Sequence, residues 1–177
     1  MSQGTVQAKP RGVVAAGCVV LEHCAGMVRG LDDRAYTTPS ARLAGGTIGK
    51  HLRHVVDHFR AALEGREAVI DYDHRARNVP MESDRQAAVA AIGGVVEGLE
   101  RLTDRELSAP VRVLAMLTGD GAEIELGSTL CRELHFAMHH AIHHQAMMRS
   151  IAEEFGASVD SEFGKAPSTV HFERGGG

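Results

Sequence analysis

Five of the chain's eleven histidines fall within one stretch, Glu133-Leu-His-Phe-Ala-Met-His-His-Ala-Ile-His-His-Gln-Ala-Met-Met148, with apolar residues in every gap. A helix advances ~100° per residue, so residues four apart share a face. His135, His139 and His143 then form one row, and His140 and His144 a neighbouring one. Phe136, Ile142 and Ala146 at the margins place the His139–His143 face at or near the buried side. A neutral imidazole buried without a partner costs ~1–3 kcal/mol, so several in one helix need a compensating interaction. A divalent ion supplies one. Neutral imidazole nitrogens bind Zn, Ni or Fe at ~2.0–2.1 Å, and two histidines four apart can chelate one ion. Mutual hydrogen bonds among the histidines and water are the alternative without a metal.

A third ligand in a helical bundle must come from a facing helix. His51-Leu-Arg-His54-Val-Val-Asp-His58 offers three candidates, spaced three and four apart along one flank of an apolar stripe. His51 and His58 fall nearer the centre of that stripe than His54. Asp57 falls with Lys50 and Arg53 on the polar side and reads as a solvated charge. Met138, Met147 and Met148 read as packing groups. His23 and His74 read as surface or loop residues.

The elements that must position these groups follow from periodicity. Val14, Cys18, Leu21, Ala25 and Val28 predict a helix over 11–30. Residues 32–46 read as a long loop. Thr47 can cap a helix that runs to about Glu64 and ends at Gly65. Residues 71–80 carry no helical stripe. A third helix follows from a cap at Ser83 to about Leu102. Residues 111–117 and 122–126 flank Thr118-Gly-Asp-Gly121 and read as a hairpin, with Glu123 and Glu125 alternating against Ala122, Ile124 and Leu126. The last helix starts near Ser128 or Thr129 and reaches about Phe155, before Gly156. Residues 1–10 and 157–177 read as tails. The expectation is a single all-α domain over 1–177, with its core at about 11–156: a four-helix bundle with a small β-hairpin insert before the last helix.

Composition excludes other classes. The 177 residues carry a net charge of −4 and 4% aromatics, with no Trp. That is neither a basic groove for nucleic acid nor a stacking platform for single strands. Cys18, Cys24 and Cys131 form no CxxC pair, and an odd count is a poor disulfide framework; Cys18 and Cys24 read as buried thiols. The apolar run Val13–Leu21 is interrupted by Glu22 and His23 and is too short to span a bilayer. No membrane partner and a cytoplasmic location are expected.

Thr47-Ile-Gly-Lys-His-Leu-Arg-His54 on one helix, His139-His-Ala-Ile-His143 on a late helix, and the closing Phe163-Gly-Lys-Ala-Pro-Ser-Thr169 together resemble the DinB/YfiT superfamily over roughly residues 11–170. The resemblance implies a four-helix bundle, commonly dimeric, with a divalent metal ion between helices. It implies one histidine of the second helix as ligand, falling on His54 with His58 or His51 as substitutes, and an HxxxH pair falling on His139 and His143. It further implies a metal-dependent hydrolase, or a transferase of low-molecular-weight thiols acting on a small-molecule substrate. The alternative is a bundle whose ion only staples two helices. The hairpin and the surplus of histidines depart from the simplest pattern of that family. No Ser-His-Asp or Cys-His arrangement stands out, and Glu133 lies away from the direction of His139.

Overall fold

The computed structural model of the protein describes residues 9–175. The expected N-terminal tail lies, for residues 1–8, outside the described residues. Four long helices form the bundle: α1 (Arg11–Gly30), α3 (Ile48–Gly65), α4 (Arg85–Glu100) and α6 (Leu130–Glu154). Three short ones, α2 (Asp33–Thr37), α5 (Asp104–Leu107) and α7 (Pro167–Glu173), decorate it. α3 packs on α4 and α6, and α1 packs on the same two from the other side. Leu21, Leu52, Val55, Phe59, Leu99, Leu134 and Met148 fill the interior between them. By length and composition α1 is apolar enough to cross a membrane. Here it is a core helix, with Val14, Leu21, Cys24, Ala25 and Val28 buried against its neighbours. The three cysteines are free thiols, Cys24 buried and Cys18 and Cys131 partly so.

Local chemistry explains the boundaries. The Thr47 hydroxyl accepts from the Lys50 amide at 3.1 Å and starts α3. The Thr129 hydroxyl accepts from the Arg132 amide at 3.3 Å and starts α6. α4 is capped by Asp84, whose carboxylate accepts from the Gln86 and Ala87 amides, rather than by Ser83. Each cap satisfies amides that the first helical turn leaves without a partner. Gly156 takes a φ of 79° just past α6, the left-handed turn that ends helices readily at glycine.

The hairpin consists of β2 (Pro110–Met116) and β3 (Glu123–Thr129), paired antiparallel with Val113 opposite Leu126 and Ala115 opposite Ile124. A third strand, β1 (Val69–Asp71), pairs parallel to β2, so the sheet order is β1-β2-β3. Its three residues are too short to leave a period in the sequence. From β1 the chain runs across α3 and turns through a 3-10 segment at Pro80–Glu82. Gly49 permits that crossing: a Cβ there would lie 2.1 Å from the Glu82 carbonyl oxygen. The loop expected over 32–46 contains α2, whose N-terminus is capped by the Asp32 carboxylate. The C-terminal tail holds α7 and presses Phe163 against the bundle, 4% exposed.

Candidate metal centre

α3 and α6 lie side by side, and their histidines meet across the interface. The His54 Nε2 and His140 Nε2 atoms are 2.9 Å apart. His58, His54 and His140 each bring one ring nitrogen within 4.8 Å of the other two. His144 extends the group, its Nε2 at 3.2 Å from His140 Nε2 and its Nδ1 at 2.9 Å from His51 Nδ1. A four-coordinate ion with imidazole nitrogens at ~2.0–2.1 Å holds those nitrogens ~3.3 Å apart. The observed spacings are already close to that value. Three histidines from two helices can thus hold an ion with little movement.

The tautomer of His58 is fixed. Its Nδ1–H donates to the His54 carbonyl at 2.8 Å, which leaves the Nε2 lone pair for a ligand. Its ring is sandwiched, stacked on Tyr72 at 5.0 Å and on His140 at 4.3 Å. Protonation of the cluster is suppressed. Burial lowers His54 to about 2, with His58, Arg75 and the α6 histidines adding repulsion. Burial likewise lowers His140 to about 4 and His144 to about 3. His58 and His51 are lowered for the same first reason. Neutral imidazoles are the form that binds metal. The His51 Nε2 atom is buried with no hydrogen-bond partner, a cost that the fold carries beside the cluster.

His139 and His143 are not brought to this place. His139 is exposed and pairs its ring with that of His135 at 4.4 Å. His143 is exposed at the rim, its ring 5.7 Å from His144 and 6.4 Å from His140. The HxxxH pair that faces α3 is the overlapping one, His140 and His144. The reason is the buried stripe of α6: Glu133, Ala137, Ala141, His144 and Met148 lie inward, and His140 sits on its flank. Of the α3 histidines, His54 and His58 enter the cluster, and His51 reaches it through His144.

Asp57 is not a solvated charge. Its side chain is 16% exposed, and Oδ2 lies 3.9 Å from both Arg53 Nε and Arg75 Nε. Arg53 also reaches Glu82 at 3.3 Å and donates to the Ala76 carbonyl at 2.9 Å. These contacts tie the segment after β1 to α3 and hold Tyr72 over His58.

Glu133 is buried, at 3% exposure. It accepts from Tyr72 Oη at 2.9 Å and from Ser128 Oγ at 2.6 Å, and Arg132 Nη1 lies 3.2 Å away. The spacing from His140 contained the signal, because seven residues make two turns and place Glu133 on that side of α6. Beside Glu133 a cleft of about 350 Å³ opens between the hairpin and α6, lined by Tyr72, Val113, Ala115, Leu126 and Phe136 among others.

No family model matches the chain. FK506-binding protein 5 of Rhizopus delemar is 39% identical over 103 residues, covering 58% of this chain and 27% of that protein. The chain therefore spans about a quarter of the length of that relative. A DinB-like protein from Bacillus cereus ATCC 10987, known from its crystal structure, superposes with a TM-score of 0.60 over 85% of this chain and 95% of that one, at 18% identity. At that identity the likeness is one of architecture, and it makes this chain a DinB-like four-helix bundle with a small sheet inserted before its last helix.

Proposed function

We propose that the protein is a divalent-metal-dependent enzyme, with His54, His58 and His140 holding Zn, Ni or Fe and the reaction being hydrolysis or the transfer of a low-molecular-weight thiol. The observation that supports it is three neutral imidazoles from two helices within 4.8 Å of one another. Such an ion, when bound, supplies Lewis acidity and lowers the pKa of a water or thiol beside it. The trio contains no carboxylate and leaves room for a fourth ligand, as catalytic sites do.

The chain's own residues then divide the work. The His54 carbonyl orients His58, and Tyr72 and Phe136 cover the rings of His58 and His140. The His51–His144 pair decides what faces the fourth position. If His51 donates, His144 Nε2 carries the proton and can hydrogen-bond a bound ligand. If His144 donates, its Nε2 lone pair is free to complete a closed, purely structural site. That second reading is favoured by the 3.2 Å approach of His144 to His140. A free edge on β3 is suited to pairing with a second copy, so a homodimer belongs to this proposal.

The test is turnover by metal-loaded protein against ester and amide panels, and against thiol conjugation with several low-molecular-weight thiols. Activity that a chelator removes and added Zn, Ni or Fe restores is expected. Stoichiometric metal without turnover in either panel, together with spectroscopy showing four protein nitrogens on the ion, would establish the structural reading instead.

A further inference from the structure

The cleft between the hairpin and α6 is a second binding feature, separated from the histidines by a wall one ring thick. Tyr72 and Phe136, 5.4 Å apart, line it on one side. The same two rings stack on the cluster, Tyr72 on His58 at 5.0 Å and Phe136 on His140 at 5.8 Å. The opposite wall is the hairpin face of Val113, Ala115 and Leu126. We propose that this cleft receives the flat apolar body of a small organic acid whose anionic head reaches the histidine cluster.

Four observations carry the inference. The volume, about 350 Å³, is that of a small-molecule site and far below what a protein segment needs. The hairpin face is apolar yet uncovered: Leu126 is 46% and Ile124 41% exposed. Two aromatic rings facing an aliphatic sheet suit a planar group, since ring faces pack best against flat apolar partners. The head-group follows from charge, and this part rests on the metal reading above. Three neutral imidazoles leave the charge of a divalent ion uncancelled, and Arg75 stands close enough for its own positive charge to bear on His54, His58 and His140. An anion is the ligand that such a place favours. Glu133 does not oppose it, because its carboxylate is engaged by Tyr72, Ser128 and Arg132.

The test uses the whole chain loaded with Co²⁺, whose visible absorption reports ligands at the ion. Acetate and 2-naphthoate are titrated in parallel, with naphthoate fluorescence as the second signal. Naphthoate is expected to bind about tenfold tighter than acetate or better, one step of 1.4 kcal/mol. Ala115→Trp fills the cleft from a partly exposed strand position and should reduce naphthoate to the level of acetate. Cobalt content and acetate affinity should stay unchanged. Leu126→Glu, at an exposed position, should weaken naphthoate alone in the same way. Equal affinity for the two acids overturns the proposal. So does Ala115→Trp without effect on naphthoate, including the case in which it instead disrupts a dimer and assigns the face to a second copy. A protein that takes up no cobalt overturns the metal reading and this inference together, and is recognised by elemental analysis before any titration.

Discussion

The His58 ring donates its Nδ1 proton to the carbonyl of His54, one helical turn earlier, at 2.8 Å. One hydrogen bond within α3 thus fixes which nitrogen of His58 faces α6. The ring is held between Tyr72 and His140, so it has little freedom to turn away. Replacing Tyr72 with Ala removes that cover and leaves Glu133 without one of its two hydroxyl donors. Metal affinity should fall by ~10–100-fold, the range for groups that orient a ligand without touching the ion. Competition against a chromophoric chelator measures it. Unchanged affinity would show that the stack on His58 is incidental.

The metal-free protein should lose stability as pH falls from neutral. His54, His140 and His144 titrate in the folded state at about 2, 4 and 3, against an ordinary value near 6.5. Below ~6.5 the unfolded chain takes up protons that the folded cluster refuses, so folding weakens with each step down in pH. Above that pH all three are neutral in both states and contribute no slope. Urea midpoints between pH 8 and pH 4.5 should be flat at first and then fall. His140→Ala should flatten the acid limb. An unchanged slope in that variant would contradict the assigned cause.

Metal uptake carries the complementary pH signature. Histidines with ordinary values must release protons below ~6.5 to bind an ion, and affinity falls accordingly. Here the depressed histidines of the trio are already neutral. Zn²⁺ affinity should therefore change little between pH 7.5 and pH 5.5, with little proton release in weakly buffered calorimetry. A steep loss over that interval would mean that the cluster is solvated and ordinary.

Gly49 lets the segment after β1 cross α3. A methyl group there would meet the Glu82 carbonyl oxygen at 2.1 Å and the Tyr36 ring at 3.0 Å. Gly49→Ala should destabilise by ~1–3 kcal/mol through overpacking. By displacing the segment that carries Tyr72, it should also weaken metal binding. A thermal melt and the same chelator competition check both.

Much of this architecture was legible because it is local. Apolar spacing marked all four long helices, Thr47 marked the start of α3, and the alternation around Thr118–Gly121 marked the hairpin. The register of the histidines on α6 was not legible. The sequence holds two overlapping HxxxH pairs, one residue or ~100° apart, and the apolar pattern did not choose between them. Its buried stripe includes the polar residues Glu133, His144 and Gln145, and small Ala137 and Ala141, so hydrophobicity understated which side faces in. Asp57 was misread for a related reason: its partner Arg75 is 18 positions away, and only the fold brings the two together. β1 was missed because a strand of three residues has no period to detect.

The central claim is that His140, with His54 and His58, holds one divalent ion. Elemental analysis of protein purified without a histidine tag, repeated on His140→Ala and His139→Ala, tests it most directly. One equivalent of Zn, Ni or Fe in the parent and in His139→Ala, with near-complete loss in His140→Ala, is the predicted result. Metal retained in His140→Ala, or lost in His139→Ala instead, would contradict it.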